Sequence, residues 1–170
     1  MPTIILTSTI NASIDVVFDL SRSIDLHMIG AAHTREKAVA GKTSGLIHLN
    51  EEVTWQAVHF GMPFTLSTRV TRLERPYYFV TEMVRGPFKS LKHEHRFRVL
   101  KNGDTEMKEI FEYKLPLGVM GSAAEHMFMT RYFQRFLSVR NNTILQYAET
   151  EQWMELLHPP RQTVMEWQFG

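Results

Sequence analysis

Three ionisable residues in the middle of the sequence have the types and spacing needed for proton transfer. His93 and His95 lie two positions apart in a stretch where apolar and polar side chains alternate, and Glu109 lies in the next such stretch. Alternate positions of a β-strand share one face, so both histidines point to the same side of a predicted strand. The apolar Leu91 and Phe97 have the same parity, which makes this side the predicted inner face of a sheet.

The turn between these two stretches determines whether the imidazole and the carboxyl group meet. A three-residue hairpin loop at 101–103 with a left-handed glycine pairs Leu100 with Asp104 and places His95 opposite Glu109. An inward histidine beside an inward carboxylate is the arrangement of an oriented general base, because the acid fixes the imidazole tautomer. The same pair is also typical of a core contact that only satisfies itself, and the sequence leaves both interpretations open.

A metal site is another use for the two histidines. Such a site needs a third ligand, and Glu109 is the only obvious one beside His93 and His95. The other histidines show no ligand spacing among themselves, so we expect no bound metal. The sequence has no cysteine, which excludes thiol catalysis and iron–sulfur clusters. It also has no nucleophile elbow, phosphate-binding loop or dinucleotide fingerprint, and we therefore expect no cofactor.

Composition and charge are those of an ordinary globular domain. The 170 residues are 44% hydrophobic and 22% charged, and 19 Lys and Arg against 18 Asp and Glu give a net charge of +1. A nearly neutral chain offers no field for a polyanion, so we expect no nucleic-acid partner. No stretch approaches the roughly 18 apolar residues of a membrane span, and the N-terminus lacks a signal-peptide pattern. We expect a soluble, unprocessed chain in the cytoplasm, with no integral membrane segment.

The elements that must position the ionisable residues are predicted from periodicity and turn signals. A β-branched stretch at 3–9 predicts a strand, and capping side chains at Ser13 and Ser23 precede two short helices at 14–20 and 24–28. Six further strands are predicted near 35–40, 46–60, 63–73, 77–84, 90–100 and 104–115. Short turns between consecutive strands indicate an antiparallel meander.

A helix of roughly thirty residues follows Gly118 and is the longest predicted element. Its apolar positions form one stripe that includes Met120, Ala124, Met127, Phe128, Tyr132, Phe136, Val139 and Tyr147. The sheet and this helix each have a single apolar face, and packing them together covers both. The predicted fold class is α+β, with about seven curved antiparallel strands around a long C-terminal helix and two short helices after the first strand.

Four parts of the sequence carry a family resemblance. They are SIDLHM at 23–28, VTWQAVHFG at 53–61, RGPF at 85–88 with HEHRF at 93–97, and YKLPLG at 113–118. With the order of elements, they resemble the START-like or SRPBCC superfamily, which includes birch-pollen allergens and polyketide cyclase-like proteins. They are similar to its bacterial ligand-binding members, often described as cyclase/dehydrase-like or cell-division-inhibitor-like. The resemblance covers residues 3 to about 149 and implies the helix-grip fold, with one ligand-binding domain over 1–149.

Three functions are compatible with these observations. The resemblance implies binding of a small hydrophobic molecule or lipid in a cavity between the sheet and the long helix, and this is our expectation. The first alternative is a polyketide cyclase/dehydratase-like or isomerase enzyme, with His95 and Glu109 as its catalytic residues. The second alternative is a protein-interaction module that uses its surface.

The expected ligand site combines inward strand positions with the helix stripe. Its residues are Trp55, Phe79, Met83, His93, His95, Phe97, Met107, Glu109, Phe111, Tyr113, Met127 and Phe128. Flexible methionines fit varied apolar ligands, and five are expected between sheet and helix: Met62, Met83, Met107, Met120 and Met127. Arg131 and Arg140 flank the long helix, where a ligand carboxylate could meet them. We expect both at the solvated edge instead.

The C-terminal segment, 150–170, is unusually apolar for a free end. It contains Trp153, Met154, Trp167 and Phe169. If the segment did not pack on anything, these side chains would expose a large apolar surface to water. We expect this tail to dock on the body of the domain or on a second copy of the chain, as a homodimer.

Overall fold

A computed structural model describes residues 2–116 and 123–158 of the chain. The strands are β1 (Thr3–Ile10), β2 (Lys37–Gly41), β3 (Glu52–His59), β4 (Met62–Glu74), β5 (Tyr78–Arg85), β6 (Ser90–Val99) and β7 (Thr105–Lys114). The α-helices are α1 (Ile14–Ser21), α2 (Ile24–Gly30), α3 (Ala123–Ala148) and α4 (Gln152–Leu157). A 3₁₀ turn at Ala32–Thr34 lies between α2 and β2.

In the described residues, seven strands form one antiparallel sheet in the order β1-β7-β6-β5-β4-β3-β2. Strands β3 to β7 follow one another as hairpins, because short turns allow only antiparallel neighbours. Strand β2 also pairs antiparallel with β3, across the longer connection 42–51. Strand β1 is an edge strand of the sheet and pairs with β7, with Leu6 opposite Glu109. This sheet, the two short helices and the long helix agree with the predicted fold class.

The predicted strand at 46–60 begins too early, since β3 starts at Glu52. The preceding residues pair instead with the link between α1 and α2, where the amide of Ile47 donates to the carbonyl of Arg22. Leu46 forms an isolated bridge with Ser23. The apolar residues there cover the short helices rather than extend the sheet, and strand periodicity alone cannot distinguish the two arrangements.

The short helices begin at the predicted caps. The side chain of Ser13 accepts from the amide of Val16 at the start of α1, and that of Ser23 accepts from Leu26 at the start of α2. Helix α2 packs closely on α3 because Gly30 has no side chain, and a Cβ there would lie 3.3 Å from the Cα of Arg140. Within the described ranges, no helix is long and apolar enough to cross a membrane.

The described core contains three clusters, of which one packs α2 on β3 and β4 around Trp55 and Val70. Another joins α1 and the last turns of α3 to the sheet and includes Phe18, Phe97, Met107 and Ile144. The third joins the middle of α3 to β6 and β7 around Tyr113. The first part of the C-terminal tail packs against the cluster around Phe18 through Trp153, Leu156 and Leu157 of α4. Trp167 and Phe169 lie outside the described residues.

Candidate functional site

A cavity of about 630 Å³ lies between the inner face of the sheet and α3. Its lining is mostly apolar, with aromatic side chains from both layers: Trp55, Phe64, Phe79, Phe111, Phe133 and Phe136. Volumes of this size are typical of sites for small organic ligands. Two groups of its ionisable lining residues matter for function, one on β6 and α3 and the other around Glu36.

The first polar group is centred on Glu109, which is 1% exposed. Alternate residues of β7 are buried from Thr105 to Tyr113, so Glu109 points inward with them. Strand β6 pairs with β7 so that His95 lies opposite Glu109. The hairpin between them closes at Leu100 and Asp104, with Gly103 at φ 91°. The predicted register is therefore confirmed.

Four side chains surround this carboxylate, two from the sheet and two from α3. Nδ1 of His95 and Nε2 of His93 lie 3.1 and 3.2 Å from Oε1 of Glu109. Neither nitrogen forms an aligned hydrogen bond within residues 2–116 and 123–158. The aligned donors come from α3: Nη1 of Arg140 donates to Oε1 at 3.0 Å, and Nδ2 of Asn141 donates to Oε2. We call these five residues the Glu109 cluster.

The position of Arg140 differs from the prediction of a solvated helix edge. Arg140 is 6% exposed, and its second nitrogen, Nη2, donates to the carbonyl of Ser21 at 2.9 Å. The buried face of α3 includes Leu137, Arg140, Asn141 and Ile144, whereas Val139 of the predicted stripe is exposed. Arg140 and Asn141 lie three or four positions from Leu137 and Ile144, which is the spacing of residues on one helix face. This spacing was the signal in the sequence, but a search for apolar residues alone does not detect polar residues on a buried face. Arg131 is exposed, as predicted.

The ionisation states follow from burial and from these contacts. Burial raises the pKa of Glu109, but its contacts with His93 and His95 outweigh this and hold the pKa well below its usual range. Donation from Arg140 and Asn141 also favours the charged carboxylate. Burial lowers the pKa of His95 to about 3 and also lowers the pKa of His93. At neutral pH the cluster therefore consists of two neutral imidazoles and one ion pair.

The Glu109 cluster also has the composition of a metal site. One ligand atom from each of His93, His95 and Glu109 lies within 4.8 Å of the others. However, the guanidinium of Arg140 already contacts Oε1, and Asn141 contacts Oε2. A divalent cation here would lie next to a buried positive charge, so this arrangement fits an internal ion pair better than a metal.

The second polar group, which the sequence analysis did not predict, surrounds Glu36. Nε2 of His27 lies 3.3 Å from Oε1 of Glu36, and the His27 ring lies 4.2 Å from the Trp55 ring. Nearby, Nδ1 of His59 is hydrogen-bonded to the hydroxyl of Tyr132, which links the end of β3 to α3. Burial lowers the pKa of His59 and raises the pKa of Tyr132. No spacing pattern connects these residues, because they come from α2, β3, α3 and the segment before β2.

The β3–β4 turn brings further aromatic residues to this side of the cavity. Phe60 and Gly61 have φ values of 54° and 75°, the two positive values of a tight hairpin turn. Phe60 lies 4.5 Å from the ring of Tyr132 and 5.6 Å from that of Phe128. Phe60, Phe128 and Met62 line the cavity and are also largely exposed, so this edge opens towards solvent.

The structure separates the twelve predicted site residues into two groups. The cavity lining includes Trp55, Phe79, His93, His95, Phe111 and Phe128. The others lie outside it: Phe97, Met107 and Tyr113 are packed in the core, Met83 is partly buried, Met127 is 52% exposed, and Glu109 lies behind the histidines.

The position of α1 explains part of this separation. Phe18 packs edge-on against Phe97 at 5.3 Å, and the hydroxyl of Ser21 reaches the sulfur of Met107 at 3.3 Å. Helix α1 thereby fills one half of the inner sheet face and leaves the cavity to the other half. Met120, also predicted at this interface, lies outside the described residues.

Solved structures with the same fold support this description. A START superfamily protein from Mycobacterium smegmatis has a TM-score of 0.66 at 12% identity, covering 86% of this chain and 97% of that one. Protein TTHA0849 from Thermus thermophilus has a TM-score of 0.67 at 14% identity, covering 86% of this chain and 99% of that one. Major latex-like protein 151 from Panax ginseng has a TM-score of 0.64 at 13% identity, covering 88% and 98%.

At such identities these likenesses are evidence of the fold alone, and they confirm the helix-grip architecture. No curated protein sequence matches the chain at a significant level. Residues 10–138 match the model of the family described as polyketide cyclase / dehydrase and lipid transport, and the chain belongs to this family.

Proposed function

We propose that the protein binds a small hydrophobic molecule or lipid in the cavity between its sheet and α3. The observation that carries this proposal is a space of about 630 Å³ in the interior, with a mostly apolar lining. An interior of ordinary packing density leaves few voids larger than a water molecule, so a space of this size calls for an occupant. The family description, which includes lipid transport, supports the same conclusion.

The physical basis for affinity is burial of apolar ligand surface against aromatic walls. Each square ångström of apolar ligand surface removed from water contributes about 25 cal/mol. The Glu109 carboxylate already has donors from Arg140 and Asn141, so a purely apolar ligand leaves that charge satisfied. The cavity is open at the edge with Phe60 and Phe128, which gives the ligand a route in.

Binding can be tested with two matched substitutions on β4. Thr68 is buried and lines the cavity, whereas Thr65 on the same strand is exposed and does not. We expect wild type to bind a neutral fluorescent probe such as N-phenyl-1-naphthylamine. Thr68→Phe should weaken this binding at least about tenfold by filling the space, and Thr65→Phe should leave it unchanged. Equal binding by both variants, or none by wild type, would contradict the proposal.

A proton-transfer enzyme of the cyclase, dehydratase or isomerase type is a second candidate. It is favoured by an imidazole, His95, that lines the cavity in front of the buried Glu109 carboxylate. A pKa of about 3 makes His95 a weak base at neutral pH, since general bases work best near the operating pH. This favours binding over catalysis.

Hydrogen exchange in a bound ketone distinguishes the two functions. An enzyme of this type should accelerate exchange of the α-protons of a naphthyl ketone in D₂O, measured by NMR. The His95→Gln variant should lose that acceleration while still binding the ketone. Equal exchange rates for wild type and His95→Gln would leave binding as the function.

We also propose that 1–149 form the ligand-binding domain and that 150–170 form a tail docked on it. The proposal is supported by Trp153, Leu156 and Leu157, which pack against the core cluster around Phe18. Docking on a second chain remains the alternative for the rest of the tail. Light scattering on the full chain and on a chain ending at Ala148 compares the two. A dimer only in the full chain would assign the tail to the homodimer instead.

A further inference from the structure

We propose that Glu36 forms a subsite for a positively charged ligand group, so that the cavity selects amphiphiles with an ammonium headgroup over neutral or carboxylate ones. This inference rests on the proposed function, because it assigns the headgroup of the molecule that the cavity binds. It is carried by the contacts of Glu36, by the charges in the cavity lining and by the surrounding aromatic rings.

The carboxylate of Glu36 is buried without an aligned donor. Glu36 is 9% exposed and belongs to the cavity lining. Its Oε2 has no hydrogen-bond partner in the part of the chain that the structure describes. Oε1 has Nε2 of His27 at 3.3 Å, but that nitrogen forms no aligned hydrogen bond there either. The terminal torsion of a glutamate is broad, so either oxygen can turn towards a ligand.

The charge state of Glu36 suits a cationic ligand. Burial raises the pKa of Glu36, but attraction to His27 outweighs burial and leaves the pKa lowered. The group is therefore a carboxylate at neutral pH. A buried carboxylate oxygen without a donor is costly, and a ligand that brings an N–H group and a positive charge removes that cost.

The other charges of the lining are already paired. Among Lys, Arg, Asp and Glu, the described lining contains two residues besides Glu36, and both are arginines: Arg22 and Arg140. Arg22 lies 2.7 Å from Asp19, and Arg140 lies 3.0 Å from Glu109. Both guanidinium groups are thus neutralised by their own acids. Glu36 is the acid of this lining that has no Lys or Arg partner, and its nearest base is the imidazole of His27. Its carboxylate attracts cations and repels carboxylates.

Aromatic side chains complete the subsite. Trp55, Tyr132 and Phe136 line the cavity together with Glu36, and Tyr132 and His59 are close enough to interact electrostatically with its carboxylate. His27 connects Glu36 to the Trp55 ring, and His59 lies 5.7 Å from the Tyr132 ring and 6.0 Å from the Phe136 ring. The faces of aromatic rings attract ammonium groups, and they do not attract a carboxylate in this way. A cation beside Glu36 would leave its alkyl chain in the apolar remainder of the cavity.

Three probes with the same ten-carbon chain isolate the headgroup: decylamine, decanol and decanoate, each competing with N-phenyl-1-naphthylamine at pH 7. We expect decylamine to bind wild type about tenfold or more tightly than decanol, and decanoate to bind least. Glu36→Gln keeps the shape and removes the charge, so it should abolish the preference for decylamine over decanol. Glu74→Gln, at an exposed position on β4, is the matched control and should retain the wild-type order.

The outcomes separate this inference from the proposed function. If decanol or decanoate binds wild type as tightly as decylamine, the Glu36 subsite is wrong while hydrophobic binding stands. Retention of the decylamine preference by a folded Glu36→Gln protein also overturns the subsite. If no probe binds wild type, both proposals fail. Should Glu36→Gln not fold, the order of the three probes on wild type still decides.

Discussion

Glu109 and Arg140 form a buried ion pair, with Nη1 of the arginine donating to Oε1 of the glutamate at 3.0 Å. The pair joins β7 to α3, and the other arginine nitrogen, Nη2, donates to the carbonyl of Ser21 at the end of α1. One guanidinium therefore holds three elements together. It lies at the boundary between the packed half of the sheet, around Met107, and the half with the cavity.

Removing the charge of Glu109 should destabilise the fold strongly. In Glu109→Gln, the buried guanidinium of Arg140 loses its anion, and an uncompensated buried charge typically costs about 3–5 kcal/mol. We expect a decrease of this size in the free energy of unfolding, measured by urea denaturation. A decrease below about 1 kcal/mol would show that the pair is not a structural link.

The control for this substitution is Glu106→Gln on the same strand. Glu106 pairs with Arg98, again a glutamate with an arginine, but on the outer face of the sheet. Exposed pairs contribute little, so the free energy of unfolding should hardly change. The comparison separates the effect of burial from that of losing a carboxylate.

Stability should decrease as the solution becomes acidic. His93 and His95 have lowered pKa values in the folded protein, so the unfolded chain binds more protons than the folded one as the pH falls. For His95 this window extends from the ordinary pKa of 6.5 down to about 3. The lowered pKa of Glu109 acts in the same direction at lower pH. We expect the free energy of unfolding to fall across this window by at most about 1.4 kcal/mol per pH unit for each site.

Two variants test the origin of this pH dependence. His95→Phe removes one buried proton site and should flatten the dependence between pH 6 and about 4. Phe79→Leu disturbs the ring that stacks on His95 at 4.1 Å without removing a proton site. It should lower stability at every pH and leave the slope unchanged. Identical slopes for wild type and His95→Phe would exclude His95 as the source.

The hydrogen bond between His59 and Tyr132 should contribute modestly to stability. Tyr132→Phe deletes the hydroxyl and leaves the ring in contact with Phe60, so we expect a loss of about 1 kcal/mol. Tyr77→Phe provides the control, because Tyr77 is 60% exposed. Thermal unfolding of both variants makes the comparison. A Tm shift no larger for Tyr132→Phe than for Tyr77→Phe would argue against this link.

The docking of α4 can be tested at two neighbouring residues. Trp153 packs against the core cluster around Phe18, whereas Met154 is 46% exposed. Trp153→Ala should lower the free energy of unfolding by roughly 2 kcal/mol, less than for a fully buried tryptophan. Met154→Ala should change it by less than about 0.5 kcal/mol. Similar effects at both positions would mean that this part of the tail does not dock through Trp153.

Local patterns in the sequence were sufficient for the sheet and for one contact in the site. Side-chain alternation and the glycine turn at 101–103 predict that His95 lies opposite Glu109, because strand parity and hairpin length determine register without reference to the rest of the chain. Ser13 and Ser23 likewise predict the starts of α1 and α2, since capping is a local hydrogen bond.

The tertiary structure decided how the long helix is rotated and which half of the sheet stays open. Arg140 and Asn141 lie on the buried face of α3 because Glu109 can satisfy them there, and hydrophobicity alone places such residues in solvent. The cavity exists because α1 covers Phe97 and Met107 but not Phe111. Glu36 faces that cavity only because separate elements converge on it. These arrangements depend on contacts between residues far apart in the chain, and hydrophobic periodicity carries no information about such pairs.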